Sequence, residues 1–191
     1  PRIKKKINGK VLSLLTGGAG NDNYFHWIFD VLPRLKICQE IFDTRKIDFF
    51  LLPDTVRKYQ SESLDKLKIP IKKRLSSKNF RHIQADEIII VDHPYCLKNN
   101  ADEEIENIPK WISVWLRQVC VNQKENLKKN LPTKIYIDRK DSSSNTKNLR
   151  SITNENEVKK ILNKYGFQSI TMSDLSFIEQ ILIFNNAKII T

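Results

Sequence analysis

The chain has 191 residues, of which 40% are hydrophobic and 9% aromatic. This composition supports one or two domains with real hydrophobic cores and excludes disordered, collagen-like and long repeat proteins. The 33 Lys and Arg outnumber the 22 Asp and Glu, which gives a formal net charge of +11. Such a charge fits a phosphate-bearing partner and also an ordinary basic surface, so it decides for neither.

Short apolar runs alternate with amphipathic stretches along the chain, which is typical of α/β folds. The first strand is predicted at 11–16, followed by a Gly-rich turn at 17–20 and a helix over 22–42 that Pro33 bends. The other elements predicted before residue 130 are two strands, the second of them buried, and two helices: 48–53, 87–91, 55–68 and 108–129.

The last third of the chain repeats the alternation of strands and helices. Asn154 with Glu157, and Ser176 with Glu179, have the spacing of capping boxes, in which side chains satisfy free N–H groups at a helix start. The predicted strands are 134–138, 168–171 and 188–191, and the predicted helices are 155–165, which Gly166 ends, and 177–187.

These elements predict two α/β domains, residues 1–130 and 131–191, with a hinge near 128–133 and the second domain incomplete. Because the chain begins at Pro1 rather than Met and stops on a strand-like run, we expect it to be a piece of a longer protein.

The three cysteines lie far apart and form no CxxC pair, so neither a disulfide framework nor a zinc site is indicated. A reducing compartment fits this pattern best. No apolar run approaches the ~18 to 20 residues that cross a bilayer, and the start of the chain lacks the apolar core of a signal peptide.

The stretch NDNYFHWIFDVLPRL, residues 21–35, combines a nearly all-apolar helix with one polar stripe. At ~100° per residue the stripe spans roughly 80° and consists of Asn23, His26, Asp30 and Arg34. Buried polar groups must be paired, so the stripe either forms a core network, in which Arg34 neutralises Asp30, or faces a cleft. Its place after the first strand favours a functional site, because open α/β sheets bind ligands at the carboxyl ends of their strands.

A second candidate site is the polar segment that follows the strand at 134–138. Arg139 leaves that strand and Arg150 precedes a helix, an arrangement that suits a diphosphate group. Surface pairing of these arginines with Asp138, Asp141 or Glu155 is the alternative. His82 and His93 are isolated in the sequence and are interpreted as structural or exposed.

Three blocks, NYFHWIFDVLPRL, IYIDRKD with RSITNENEV, and YGFQSITMSDLSFIEQILIFNNAKII, occur in the order found in glycosyltransferase family 61, which the chain resembles. This family includes bacterial capsular polysaccharide biosynthesis proteins. Its members continue after the last strand with a His-Gly-Ala segment, whereas this chain ends at Thr191. The resemblance covers the residues predicted to bind substrate or catalyse: Asn23, His26, Asp30, Arg34, Arg139, Arg150, Asn154 and Glu155.

The resemblance implies a GT-B-like architecture with a Rossmann-like acceptor-side half and an incomplete Rossmann-like half that binds the nucleotide sugar. It also implies inversion at the sugar carbon without a metal or another cofactor. Without a metal, Arg139 and Arg150 would neutralise the departing diphosphate. Asp30 or His26 would be the catalytic base that takes the proton of the acceptor hydroxyl.

We therefore expect a cytoplasmic glycosyltransferase of surface polysaccharide biosynthesis, with a nucleotide sugar and a glycan acceptor as partners. Peripheral association with membrane polysaccharide machinery is part of this expectation, as is inactivity of the 191 residues alone. Two alternatives stay open: a non-catalytic scaffold relative and a basic nucleic-acid-binding domain. The second lacks a recognition element and a one-sided basic face, so no nucleic-acid partner is expected.

Overall fold

The structure is a computed structural model that describes residues 4–16, 20, 22–55, 57–95, 107–121, 131–140 and 152–191. The chain forms two compact units, Pro1–Val119 and Cys120–Thr191. Each unit combines helices with a sheet in which every pairing is parallel. The predicted α/β class is thus confirmed. Of the predicted hinge near 128–133, residues 128–130 lie outside the described residues.

The first unit has a four-stranded sheet in the order β3-β2-β1-β4. Its strands are β1 (Lys5–Ser13), β2 (Phe49–Leu52), β3 (Arg74–Ser76) and β4 (Ile83–Ile90). Its helices are α1 (Tyr24–His26), a π-helical turn (Trp27–Val31), α2 (Pro33–Ile41), α3 (Lys58–Lys66) and α4 (Lys110–Cys120). The chain moves outward from β1 to β3 and then crosses to pair β4 with the other side of β1. The sheet therefore has a topological switch point between β1 and β4.

Strand β1 begins six residues earlier than the predicted start at residue 11, and it contains a bulge at Asn8 and Gly9. Gly9 has a φ of +126°, which favours glycine. The Gly9 N–H donates to Asp86 Oδ2 at 2.6 Å and the Lys10 N–H to Asp48 Oδ2 at 2.8 Å. These two carboxylates satisfy donors that the bulge removes from the sheet.

Two further strand predictions need correction. β4 begins at Ile83 rather than at residue 87 and is not buried, since the side chains of Ile88 and Ile90 are exposed. Its position at the edge of the four-stranded sheet explains this exposure. The short edge strand β3 was not predicted, because three residues carry too little pattern to be recognised.

The predicted helix over 22–42 forms, and its bend at Pro33 takes the form of a π-helical turn. The Leu32 N–H donates to Trp27 O, five residues back, at 3.1 Å. Pro33 has no N–H, and in a regular α-helix its ring would press on the carbonyl four residues back. The wider turn relieves this crowding, and Pro33 then becomes the first residue of α2.

The core of the first unit lies between β1, β2 and the helices, and Trp27 is its largest fully buried side chain. The Trp27 indole N–H donates to Ser63 Oγ at 2.9 Å, which ties the π-helical turn to α3. Other members of this core are Leu12, Leu14, Val31, Leu32, Leu52, Leu64 and Trp115. The core therefore fixes which face of the helix stays polar.

The second unit follows the predictions closely. Its strands are β5 (Lys134–Asp138), β6 (Gln168–Thr171) and β7 (Ile189–Ile190), in the order β6-β5-β7, and its helices are α5 (Glu155–Lys164) and α6 (Phe177–Asn186). Gly166, with a φ of +80°, ends α5 as predicted. Since β6 and β7 lie on opposite sides of β5, this sheet has a topological switch point between β5 and β7.

Only one of the two predicted capping boxes forms. Ser176 Oγ accepts from the Glu179 N–H at 3.2 Å, and Glu179 Oε2 accepts from the Ser176 N–H at 2.9 Å. The prediction for Asn154 is wrong, because its side-chain amide donates to Glu157 Oε2 at 3.4 Å and makes no cap to the helix N–H groups. Its ψ of 34° is also not the extended value of an N-cap residue.

Replacing Ser176 and Asn154 by alanine tests whether only Ser176 caps its helix. Ser176→Ala should destabilise α6 by about 1 kcal/mol, since it leaves a helix N–H without its acceptor. Asn154→Ala is the matched control and should cost much less. Native-state hydrogen exchange of the α5 and α6 amides measures both effects. Equal losses in the two variants would contradict the assignment.

Candidate functional site

The candidate site of the first unit lies at the carboxyl edge of its sheet, at the switch point. β1 leads into the helix that begins at Tyr24, and β4 leads into residues 91–95. Ser13 and Ile90 are paired at the ends of these two strands. The two segments that follow therefore start side by side, in the position where parallel α/β sheets bind ligands.

At this edge a buried carboxylate, that of Asp30, is held by side chains from both segments. His26 Nδ1 lies 2.7 Å from Asp30 Oδ2. The Tyr95 hydroxyl donates to Asp30 Oδ1 at 2.7 Å, and His93 Nε2 lies 3.7 Å from the same oxygen. His93 Nδ1 donates in turn to the Tyr95 carbonyl at 2.8 Å. Both carboxylate oxygens are thus engaged within the protein.

The side chains of His26 and Asp30 differ in their exposure to solvent. The Asp30 side chain is 6% exposed, whereas the His26 side chain is 37% exposed. Because Nδ1 of His26 faces Asp30, its other nitrogen, Nε2, points away from the carboxylate. A carboxylate that fixes one imidazole nitrogen as a donor leaves the other as a proton acceptor. The pair therefore has the chemistry of a general base.

Arg34 and Asn23 hold the helix that carries this pair. The buried Arg34 donates from Nε to Asp30 O at 3.1 Å and from Nη1 to Val91 O at 2.8 Å. Burial lowers the pKa of Arg34, and the charges of Asp30 and Asp92 oppose this change. Arg34 thus joins the helix to the segment after β4 through backbone carbonyls, and not through the Asp30 carboxylate as the core-network hypothesis expected.

Asn23 is the N-cap of α1. Its Oδ1 accepts from the N–H groups of Phe25 at 2.9 Å and His26 at 3.3 Å. This contact fixes the start of the helix about two turns before Asp30. Substrate binding by Asn23 and Arg34 stays a prediction.

In the second unit, Arg139 is exposed and directly follows β5, the central strand. It therefore lies at the carboxyl edge of that sheet, next to the switch point between β5 and β7. Arg150 lies outside the described residues.

The acidic neighbours of Arg139 are engaged with Lys159. Lys159 Nζ donates to Asp138 Oδ2 at 2.8 Å and lies 3.4 Å from Glu155 Oε2, while Glu155 Oε1 accepts from the Tyr136 hydroxyl at 3.0 Å. Burial alone would raise the pKa of Asp138, but the hydrogen bonds from Lys159 Nζ and the Lys140 N–H hold it below its usual value. The proposed substrate roles of Asn154 and Glu155 stay predictions.

Comparison with known families identifies the chain. A family model described as Glycosyltransferase 61 matches residues 24–191. The chain belongs to the glycosyltransferase 61 family. The resemblance seen in the three sequence blocks is thereby confirmed, and with it glycosyl transfer as the activity of the family. No curated protein and no solved structure matches the chain.

Among the residues of this glycosyltransferase 61 chain that the structure describes, no three His, Cys, Asp or Glu side chains are grouped closely enough to hold a metal ion. None of the described helices has the length and apolar character needed to cross a membrane.

His93 and Tyr95 are the residues of the site that the sequence analysis missed. His93 is isolated only in the sequence, since in the structure its ring lies against Asp30 and Tyr95. More than 60 residues separate these side chains from Asp30, and no spacing rule spans that distance. The position of residues 92–95, DHPY, could have indicated that they belong to the site, because they follow β4, the strand that pairs with β1.

The contribution of Tyr95 can be tested against a second tyrosine of the same unit. Tyr95→Phe should destabilise the first unit by about 1.5–3 kcal/mol, because it removes a hydrogen bond to a buried charged group. Tyr59→Phe is the control. The Tyr59 hydroxyl is buried without a partner among the described residues, and burial raises its pKa to about 12.

Urea unfolding followed by tryptophan fluorescence measures both variants, since all three tryptophans lie in the first unit. Tyr59→Phe should be neutral or stabilising. A Tyr95→Phe variant as stable as the wild type would show that the Asp30 carboxylate does not depend on this contact.

Proposed function

We propose that this glycosyltransferase moves a sugar from a nucleotide-sugar donor to a polysaccharide acceptor in the synthesis of capsule or another surface polysaccharide. The observation that carries this proposal is the buried Asp30 paired with the half-exposed His26 at the switch point of the first sheet. Family membership supports glycosyl transfer, and the geometry supports a general base on the acceptor side.

In the proposed reaction His26 Nε2 takes the proton of the acceptor hydroxyl while that oxygen attacks the sugar carbon. Asp30 keeps the proton of Nδ1 in place and stabilises the imidazolium that forms. Asp30 is therefore the positioning residue and His26 the base, since both Asp30 oxygens already have partners. The bond between the sugar carbon and the diphosphate breaks as the new bond forms, which inverts the configuration at that carbon.

The leaving diphosphate requires positive charge on the donor side. Arg139 is exposed at the carboxyl edge of β5 and is proposed to bind it, together with Arg150. In this proposal cationic side chains take the task that a metal performs in other glycosyltransferases. The parallel sheets of the two units support a GT-B-like arrangement of Rossmann-like halves, with the acceptor on the first and the donor on the second.

Substitution of the base tests the reaction scheme. In the intact enzyme His26→Ala should lower kcat by about 10²–10⁴-fold, the usual contribution of a general base. Asp30→Asn should also lower kcat, because an amide stabilises the imidazolium less well. His82→Ala, an exposed histidine of the same unit, is the control and should leave turnover unchanged. Near wild-type turnover of His26→Ala would exclude His26 as the base.

Nucleotide binding tests the donor side. Calorimetric titration with UDP, GDP and CMP should show binding of one nucleotide, and Arg139→Ala should weaken it by about tenfold or more, as expected for loss of a charged hydrogen bond. Lys160→Ala, which removes an exposed cation from the same unit, is the control. Binding of none of the three nucleotides by the folded intact enzyme would favour a scaffold role.

A further inference from the structure

A pocket of about 340 Å³ opens at the carboxyl ends of β1, β2 and β3. Its walls come from the segments that directly follow these three strands: Leu15, Asp54, Ser77, Lys78, Phe80 and Arg81. It lies on the same edge of the first sheet as His26 and Asp30, yet shares no lining residue with their network. Its volume is near the lower end of the range for small-molecule sites.

The walls of this pocket combine an apolar side with groups that bind hydroxyls. Leu15 and Phe80 pack against the small core cluster on this face of the sheet and form the apolar side. Asp54 Oδ1 accepts from the Ser76 hydroxyl at 2.8 Å, which fixes the carboxylate and leaves Oδ2 as an acceptor. Ser77 adds a hydroxyl. An apolar wall beside fixed polar groups matches the mixed surface of a sugar.

The charge of the pocket is positive. Lys78 and Arg81 line it and are exposed, and Lys5 Nζ lies 4.5 Å from the centre of the Phe80 ring. The lining thus holds two cations, Lys78 and Arg81, and one carboxylate, that of Asp54. Because Arg and Lys favour carboxylate and phosphate groups, the pocket selects an anionic ligand over a neutral one.

Gly20 packs against residues that neighbour the candidate site and the pocket. Gly20 lies so close to Val31 that a Cβ added to the glycine would collide with the valine side chain, and the same Cβ would lie 3.6 Å from Pro53 Cγ. Val31 follows Asp30, and Pro53 precedes Asp54. Gly20, which follows β1, thus packs between the residue next to Asp30 and the residue next to Asp54.

We infer that this pocket binds a sugar unit bearing a carboxylate or phosphate group, as a subsite for the acceptor glycan. The assignment to the acceptor rests on the proposed function, whereas binding of the anionic sugar rests on the pocket alone. An anionic sugar held here places the acceptor chain at the carboxyl edge of the same sheet that positions His26.

Binding is tested on the 191-residue chain by NMR, following the amide signals of residues 76–82. The probes are methyl β-glucuronide, glucose 6-phosphate and, as the neutral comparison, methyl β-glucoside. We expect saturable binding of at least one anionic probe, about tenfold or more tighter than that of the neutral probe. The anionic probe that binds more tightly identifies the natural group as carboxylate or phosphate.

A matched pair of variants locates the site. Lys78→Ala with Arg81→Ala should weaken binding of the anionic probe by about tenfold or more. Lys46→Ala with Lys72→Ala removes the same charge from exposed positions outside the pocket and should leave the affinity unchanged. Equal loss in both pairs, equal binding of the neutral probe, or no saturable binding of any probe would overturn the inference.

The result of this binding test does not depend on catalysis, because the test measures no turnover. If His26→Ala left turnover intact while the pocket still bound the anionic probe, the proposed base would fail and the subsite would stand. If the pocket variants had no effect while His26→Ala abolished turnover, the subsite would fail and the proposed function would stand.

Discussion

The burial of one carboxylate, that of Asp30, is the constraint on which the first unit depends. A charge taken out of water is costly unless it is paired and hydrogen-bonded, and His26 and Tyr95 meet this requirement. The two partners come from segments that follow different strands. The contact of Tyr95 with Asp30 therefore holds the helix after β1 and the loop after β4 together, and Arg34 strengthens the same link through backbone carbonyls.

The parallel topology of the sheet brings the segments after β1 and β4 together. In both units the chain leaves the first strand, builds outward on one side and returns on the other, so a switch point forms beside β1 and beside β5. Loops that follow neighbouring parallel strands emerge at the same edge. The pair of His26 and Asp30, the basic pocket and Arg139 all occupy the carboxyl edge of their own sheet. The proposed reaction requires a base and a cation, and His26 in the first unit and Arg139 in the second are the residues proposed for these roles.

Much of this arrangement was predictable from the residues. Local patterns predicted β5, α5, β6 and α6 to within a residue or two, because their apolar periods, the capping box of Ser176 and Gly166 all point to the same elements. The polar stripe with His26 and Asp30 was also visible, since both residues lie on one helix. The failures have physical causes. The first six residues of β1 were missed, because Asp48 and Asp86 from elsewhere in the sequence satisfy the N–H groups of Lys10 and Gly9 at its bulge.

By itself the sequence determined the α/β class, the family and the helix that carries the proposed base, since each follows from neighbouring residues or from short motifs in order. Only the tertiary structure decided which groups surround His26 and Asp30. Strand pairing across tens of residues brings Tyr95 and His93 to Asp30, and it also brings the walls of the basic pocket together. Their contacts depend on the parallel register and on the crossover to β4, and no local spacing in the chain encodes either.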